Sequence, residues 1–185
     1  NIVQGNLGKA INMDRRDELG SLAQSFETMR ASINEKISDL KRITGIIEST
    51  SDLVAIASPD KAILYMNRAG RQMMGWGADQ SPWDKNLKDL YPDNEFVMLE
   101  KMGLPAANDR GIWEGESLLL QSGKKAIPVS MVIIAHTSDN GQLEYISTIM
   151  RDISQAKQAE NELIYLRNYL AQIIDSMPSI LVGVD

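Results

Sequence analysis

The stretch DLVAIASPDKAILYMNRAGRQMMGW, Asp52 to Trp76, decides how the rest of the chain is read. Leu53 to Ala57 is a short apolar run of strand length. Ser58-Pro59-Asp60-Lys61 has the composition of a turn, and Ala62 to Met66 follows as the hairpin partner. Asn67 is a good helix N-cap ahead of Arg68 to Met74, and Gly75-Trp76-Gly77 ends that helix. Strand, turn, strand and short helix in succession predict the start of a mixed domain.

Downstream, residues 78–110 carry Pro82, Pro92 and Pro105 among short apolar bursts, which predicts small helices and loops. Three strands follow: Ile112 to Gln121, Lys125 to His136, and Leu143 to Arg151. Ser122-Gly123-Lys124 forms the first turn between them and Thr137 to Gly141 the second, with Asn140-Gly141 as a strong hairpin signal. Two strands, a helical middle and three antiparallel strands predict an α+β domain of about 100 residues, enough for its own core.

Long helical patterns flank this domain. Upstream, Leu19, Leu22, Phe26, Met29 and Ile33 fall at spacings of 3, 4, 3 and 4, a heptad seam that continues through Ile37, Leu40, Thr44 and Ile47. Two four-residue steps meet at Ile33, the mark of a stutter that locally unwinds a coiled coil. Downstream of Ser154, the residues Ala156, Leu163, Leu166, Leu170, Ile173 and Met177 form a second seam, ended by Pro178.

Composition removes most catalytic chemistry. The chain has 185 residues, 43% hydrophobic and 24% charged, with a formal charge of −6, and an acidic pI of about 4.9 argues against nucleic acid as a partner. It has no cysteine and one histidine, which excludes disulfides, thiolate metal sites, cysteine nucleophiles and multi-histidine metal centres. The longest apolar runs, such as Met131 to Ala135, are far short of the roughly 20 residues that span a bilayer. The chain opens without a signal peptide or initiator Met and stops within the apolar run Ile180 to Val184. It therefore reads as a piece of a longer protein.

The run from Asp52 to Trp76 resembles the opening of a PAS domain. Trp113-Glu114-Gly115-Glu116 matches that family's W-x-G-E, and Arg151-Asp152-Ile153-Ser154 its closing D-I-T/S. Upstream, Gly5-Asn6-Leu7 and Asp17-Glu18-Leu19-Gly20 are similar to the connector end and D-E-x-G motif of a HAMP module. Tyr169 to Asp185 is similar to the start of another PAS domain. The resemblance implies these divisions: 1–36, the second half of HAMP; 37–50, a coiled-coil linker; 51–154, a PAS domain with a five-stranded antiparallel sheet; 155–177, an output coil; 178–185, a truncated second PAS domain.

In series these modules resemble the cytoplasmic portion of a bacterial inner-membrane sensor histidine kinase. That implies a segment relaying conformational change to a downstream kinase and response regulator, as a homodimer through its coils and PAS domain. It reaches the membrane only through spans upstream. The same modules also precede diguanylate cyclases, chemoreceptors and transcriptional activators. No catalytic residue is expected here: His136 sits at a strand end before Thr137-Ser138-Asp139, not on a helix, and no glycine-rich nucleotide motif occurs.

The residues expected to couple signal are Asp152, Arg151, Ser154, Trp113, Glu116 and Glu18. Asp152 stands where the last strand becomes the output helix, which Ser154 could cap, with Arg151 or Lys125 as partners for Glu116 and Asp152. Trp113 and Glu116 point to opposite faces of their strand, and Gly115 between them marks a bulge or close approach. The resemblance implies a pocket across residues 66–110, for which Met66, Asn67, Met73, Trp76, Trp83 and Phe96 are candidates. No cofactor or metal is expected. The alternatives are a small organic ligand, a noncovalent flavin flanked by Trp76 and Trp83, or a haem on Met98 or Met102 in a redox or gas sensor.

Overall fold

A computed structural model describes residues 18–77, 82–122 and 125–176. The chain divides into two units, residues 1–50 and 51–185. In the first, helix α1 (Glu18–Ser49) is 32 residues long, about 48 Å at 1.5 Å per residue. Its seam is solvent-facing: Leu22, Met29 and Leu40 are each more than half exposed, and Ile43 and Ile46 widen the apolar stripe.

The second unit holds five antiparallel strands: β1 (Leu53–Ala57), β2 (Ile63–Met66), β3 (Ile112–Leu120), β4 (Ala126–Thr137) and β5 (Leu143–Asp152). They lie in the order β2-β1-β5-β4-β3, so the first and last strands are neighbours. One sheet face is the core. Leu53, Ala55 and Ala57 alternate inward on β1, as do Val129, Met131 and Ile133 on β4 and Ile146 and Met150 on β5. Met74, Leu90, Phe96, Leu99 and Ala107 cover them from the helical middle. Each large side chain buried this way stabilises the fold by about 1.5–3 kcal/mol.

The helical middle is more regular than its prolines suggest. After α2 (Arg68–Met73) come 3₁₀ turns at Pro82–Asp84 and Leu87–Leu90. Then α3 (Asp93–Met98), a π turn at Leu99–Gly103 and α4 (Leu104–Arg110) run on without a break. Pro105 does not interrupt this run. It stands in the first turn of α4, where its missing N–H costs little, and the widened π turn lies just ahead of it.

The β4–β5 hairpin closes around Asn140-Gly141 with only Gly141 at positive φ, +79°. The register shifts at His136/Thr137, so the turn is of the bulged kind and not the two-residue form with both central residues left-handed. His136 stacks on Tyr145 across this hairpin, ring centroids 4.2 Å apart.

Helix α5 (Ser154–Ser176) follows β5 directly, and Leu163, Leu166 and Leu170 on it are exposed. Among the described residues no helix is long and apolar enough to cross a membrane. Residues 1–17, 78–81, 123–124 and 177–185 lie outside the description. With them fall Gly5-Asn6-Leu7, the side chain of Glu18, the middle of the first predicted turn, Met177, Pro178 and the expected start of a second domain.

Candidate functional site

Two places in the sheet unit concentrate polar chemistry: the junction where β5 becomes α5, and a cleft at the opposite end of the same strand. At the junction, Asp152 rather than Ser154 supplies the cap. Its Oδ1 accepts a hydrogen bond from the Ser154 backbone N–H at 2.7 Å, satisfying one of the unpaired donors at the start of α5. Ser154 is itself the first helical residue, which is why its side chain is not the cap.

The charged partners also differ from expectation. Lys157, in the first turn of α5, places Nζ 2.8 Å from Glu116 Oε2 on β3. That hydrogen bond, reinforced by charge attraction, holds the ammonium above its ordinary range. Arg151 pairs with Asp52, just ahead of β1: its Nη2 lies 2.9 Å from Oδ2 and its Nε 3.2 Å from Oδ1, a two-pronged contact. The pair follows from the register, in which Leu53 faces Met150 across β1 and β5.

Asp52 is held from the other side by Asn67. That fully buried side chain donates to the Asp52 carbonyl at 2.9 Å and accepts from the N–H groups of Val54 at 3.0 Å and Gly70 at 2.9 Å. It is the N-cap of α2 and at the same time a staple on the first strand.

Trp113 and Glu116 do point to opposite faces, with Glu116 exposed towards α5. The indole lies along its own strand over Gly115, where an added Cβ would sit 2.4 Å from Cη2, and against Gly103 of the π turn. Gly115 is therefore a close approach within a regular ladder, not a bulge. A slot of about 30 Å³ beside Trp113 has room for about one or two waters. Met98 and Met102, half or more exposed, line that slot.

The larger cleft measures about 240 Å³. Pro59 and Lys61 come from the β1–β2 turn, Glu100 from the π turn, Leu104, Pro105, Ala107 and Asn108 from α4, and Ala135, Leu143 and Ile146 from β4 and β5. Lys61 and Glu100 form an ion pair at its rim. The hydrogen bond from Lys61, then its charge, holds the Glu100 carboxyl below the usual carboxylate range.

Residues 41–153, more than half of the chain, match the family model described as PAS fold. The chain belongs to the PAS fold family. Residues 1–35 match the HAMP domain model. No curated protein matches the chain. Among solved structures, the PAS domain of a protein from Colwellia psychrerythraea is 17% identical with a TM-score of 0.58, covering 63% of this chain and 98% of that one. A sensory box histidine kinase/response regulator from Burkholderia thailandensis is 18% identical at TM-score 0.56, covering 71% and 98%. A PAS domain from a two-component sensor histidine kinase is 13% identical at 0.52, covering 63% and 98%. HAMP and PAS domains in one chain make this a sensory signalling protein, and the HAMP match ties it to membrane-linked signalling.

Within the PAS domain the six residues expected around a pocket do not line the cleft. Met66, Asn67 and Phe96 are buried in the core, Met73 and Trp76 pack against it, and Trp83 is 63% exposed. At about 240 Å³ the cleft lies below the roughly 300–1,000 Å³ of drug-sized ligands, so a flavin or haem does not fit it. The residues that sequence reasoning missed are Asp52, Lys157, Lys61 and Glu100. Each is one polar residue in a turn or helix face, and only the strand register and helix docking bring it to its partner.

Proposed function

We propose that this chain is the relay segment of a bacterial two-component sensor histidine kinase, working as a parallel homodimer. Input comes through the HAMP helix, the PAS domain biases it, and α5 passes it to a downstream kinase. The observation that carries this reading is that β1 and β5 are neighbours joined by the Arg151–Asp52 pair. The input end and the output end of the domain are thus a single charged contact apart, and a displacement of β1 acts on the residue next to the α5 cap.

Dimerisation is supported by both long helices. Leu40 on α1 is 63% exposed and Leu163 on α5 69%, and helices with such stripes are marginal in water until a partner covers them. A second copy packed along these seams would cover them, with heptad and stuttered registers close in energy. The HAMP–PAS order and the kinase setting of two fold neighbours support a kinase output.

The test is a deletion of two residues between Ala156 and Leu163 in the full-length parent. At 3.6 residues per turn it rotates everything downstream by about 200°. Autophosphorylation should lose its response to input. Unchanged regulation would overturn the relay reading, and a monomeric 185-residue chain in sedimentation equilibrium would overturn the dimer.

A further inference from the structure

We propose that the cleft at the far end of β4 and β5 binds a free amino acid with an apolar side chain. This deepens the relay reading by naming what the PAS domain senses. The walls are hydrocarbon: Leu104 and Ala107 on one side, Ala135, Leu143 and Ile146 on the other. Ala107 and Ala135 are small, and their short side chains leave the space open. Its volume of about 240 Å³ exceeds the roughly 150 Å³ of an apolar cavity that accepts benzene, so an isobutyl or benzyl group fits with room for a head group.

The rim selects the head group. Lys61 and Glu100 approach it from different elements and carry opposite charges. Lys61 stands on a tight turn, its N–H bonded to the Ser58 carbonyl at 2.8 Å and its ammonium 5.6 Å from the centre of the Phe96 ring. It is thus presented to the rim by a fixed backbone. The pair is partly exposed, with side chains 30% and 47% accessible, and such pairs add little stability, so opening one costs little. A carboxylic acid alone would meet Lys61 but leave Glu100 beside a like charge. An amine alone would do the same to Lys61. A zwitterion satisfies both, its carboxylate on Lys61 and its ammonium on Glu100, while Asn108 adds an amide with donor and acceptor. Leu143 and Ile146 lie on the strand that ends at Asp152, so the bound side chain presses on the strand that carries the output cap.

The probes are L-leucine, L-phenylalanine, and three leucine analogues: 4-methylpentanoate, 3-methylbutylamine and 3-methylbutanol. They are titrated calorimetrically into the 185-residue chain. Both amino acids should bind at one per chain, and loss of either charged group should weaken binding about tenfold or more. Lys61→Met and Glu100→Gln should each weaken leucine binding about tenfold while the melting temperature stays within a few degrees and circular dichroism is unchanged. No binding by any probe overturns the proposal, as does an alcohol that binds as tightly as leucine, or variants that bind like the parent. If leucine fails to bind while the α5 deletion still abolishes regulation, the ligand falls and the relay stands. If leucine binds while the deletion changes nothing, the relay falls and the ligand site stands.

Discussion

Arg151 and Asp52 are 99 residues apart in the chain and form a two-pronged contact, Nη2 to Oδ2 at 2.9 Å. The contact exists because β1 and β5 pair antiparallel, which places the residue before the first strand beside one at the end of the last. Arg151 is 71% accessible while the Asp52 side chain is 17%, so the pair is a fitting on the surface of the sheet and not a core element.

From that exposure, Arg151→Met should leave the melting temperature within a few degrees yet uncouple input from output in the full-length parent. The swap Asp52→Arg with Arg151→Asp should recover part of the regulation. Thermal melts and stimulated autophosphorylation measured side by side check this. A large drop in stability with regulation intact would make the pair merely structural.

The Lys157–Glu116 contact gives a pH signature. The ammonium's folded-state value lies above its ordinary one, so its contribution is fully present below that ordinary value and is lost as pH rises through the raised one. Lys157→Met should therefore separate from the parent by a constant amount in melts across the neutral range, and the two should converge as the pH is raised into strong alkali. The Lys61–Glu100 pair runs the other way. Its contribution holds above the ordinary carboxylate value and fades as pH falls through the lowered one.

Gly115→Ala should destabilise the PAS domain by about 1–3 kcal/mol, because the new methyl occupies the space of the Trp113 ring. Chemical denaturation measures it. Adding Trp113→Leu removes the clash, so the double variant should lose less than the sum of the two single changes.

Asn67→Ala leaves the Val54 and Gly70 N–H groups and the Asp52 carbonyl without their side-chain partner in a fully buried place. A loss of roughly 2–4 kcal/mol is expected in denaturant unfolding. Asn67→Asp should not rescue it, because a carboxylate oxygen would then face the Asp52 carbonyl oxygen.

Much of this was legible along the chain. The apolar run Leu53 to Ala57, the cap at Asn67 and the Asn140-Gly141 turn are local signals, and local backbone preference suffices to read them. The π turn ahead of Pro105 was not legible, because no residue type announces the widened turn that carries the chain past a proline. Trp83 was placed near a ring pocket by residue type alone, and it lies 63% exposed at the surface.

The sequence by itself determined the order of elements, the helical seams and the family motifs, since each depends on residues within a few positions of one another. Tertiary structure alone decided the partners. Asp152, not Ser154, caps α5, because the helix already begins at Ser154, one residue earlier than a cap at that position requires. Glu116 meets Lys157, and Arg151 meets Asp52, because sheet order and register bring distant polar groups within hydrogen-bond reach. The cleft lies between Lys61, Glu100 and β5, away from the expected residues. A cavity is the space left where several elements fail to fill it, and that remainder is written in no single stretch of the chain.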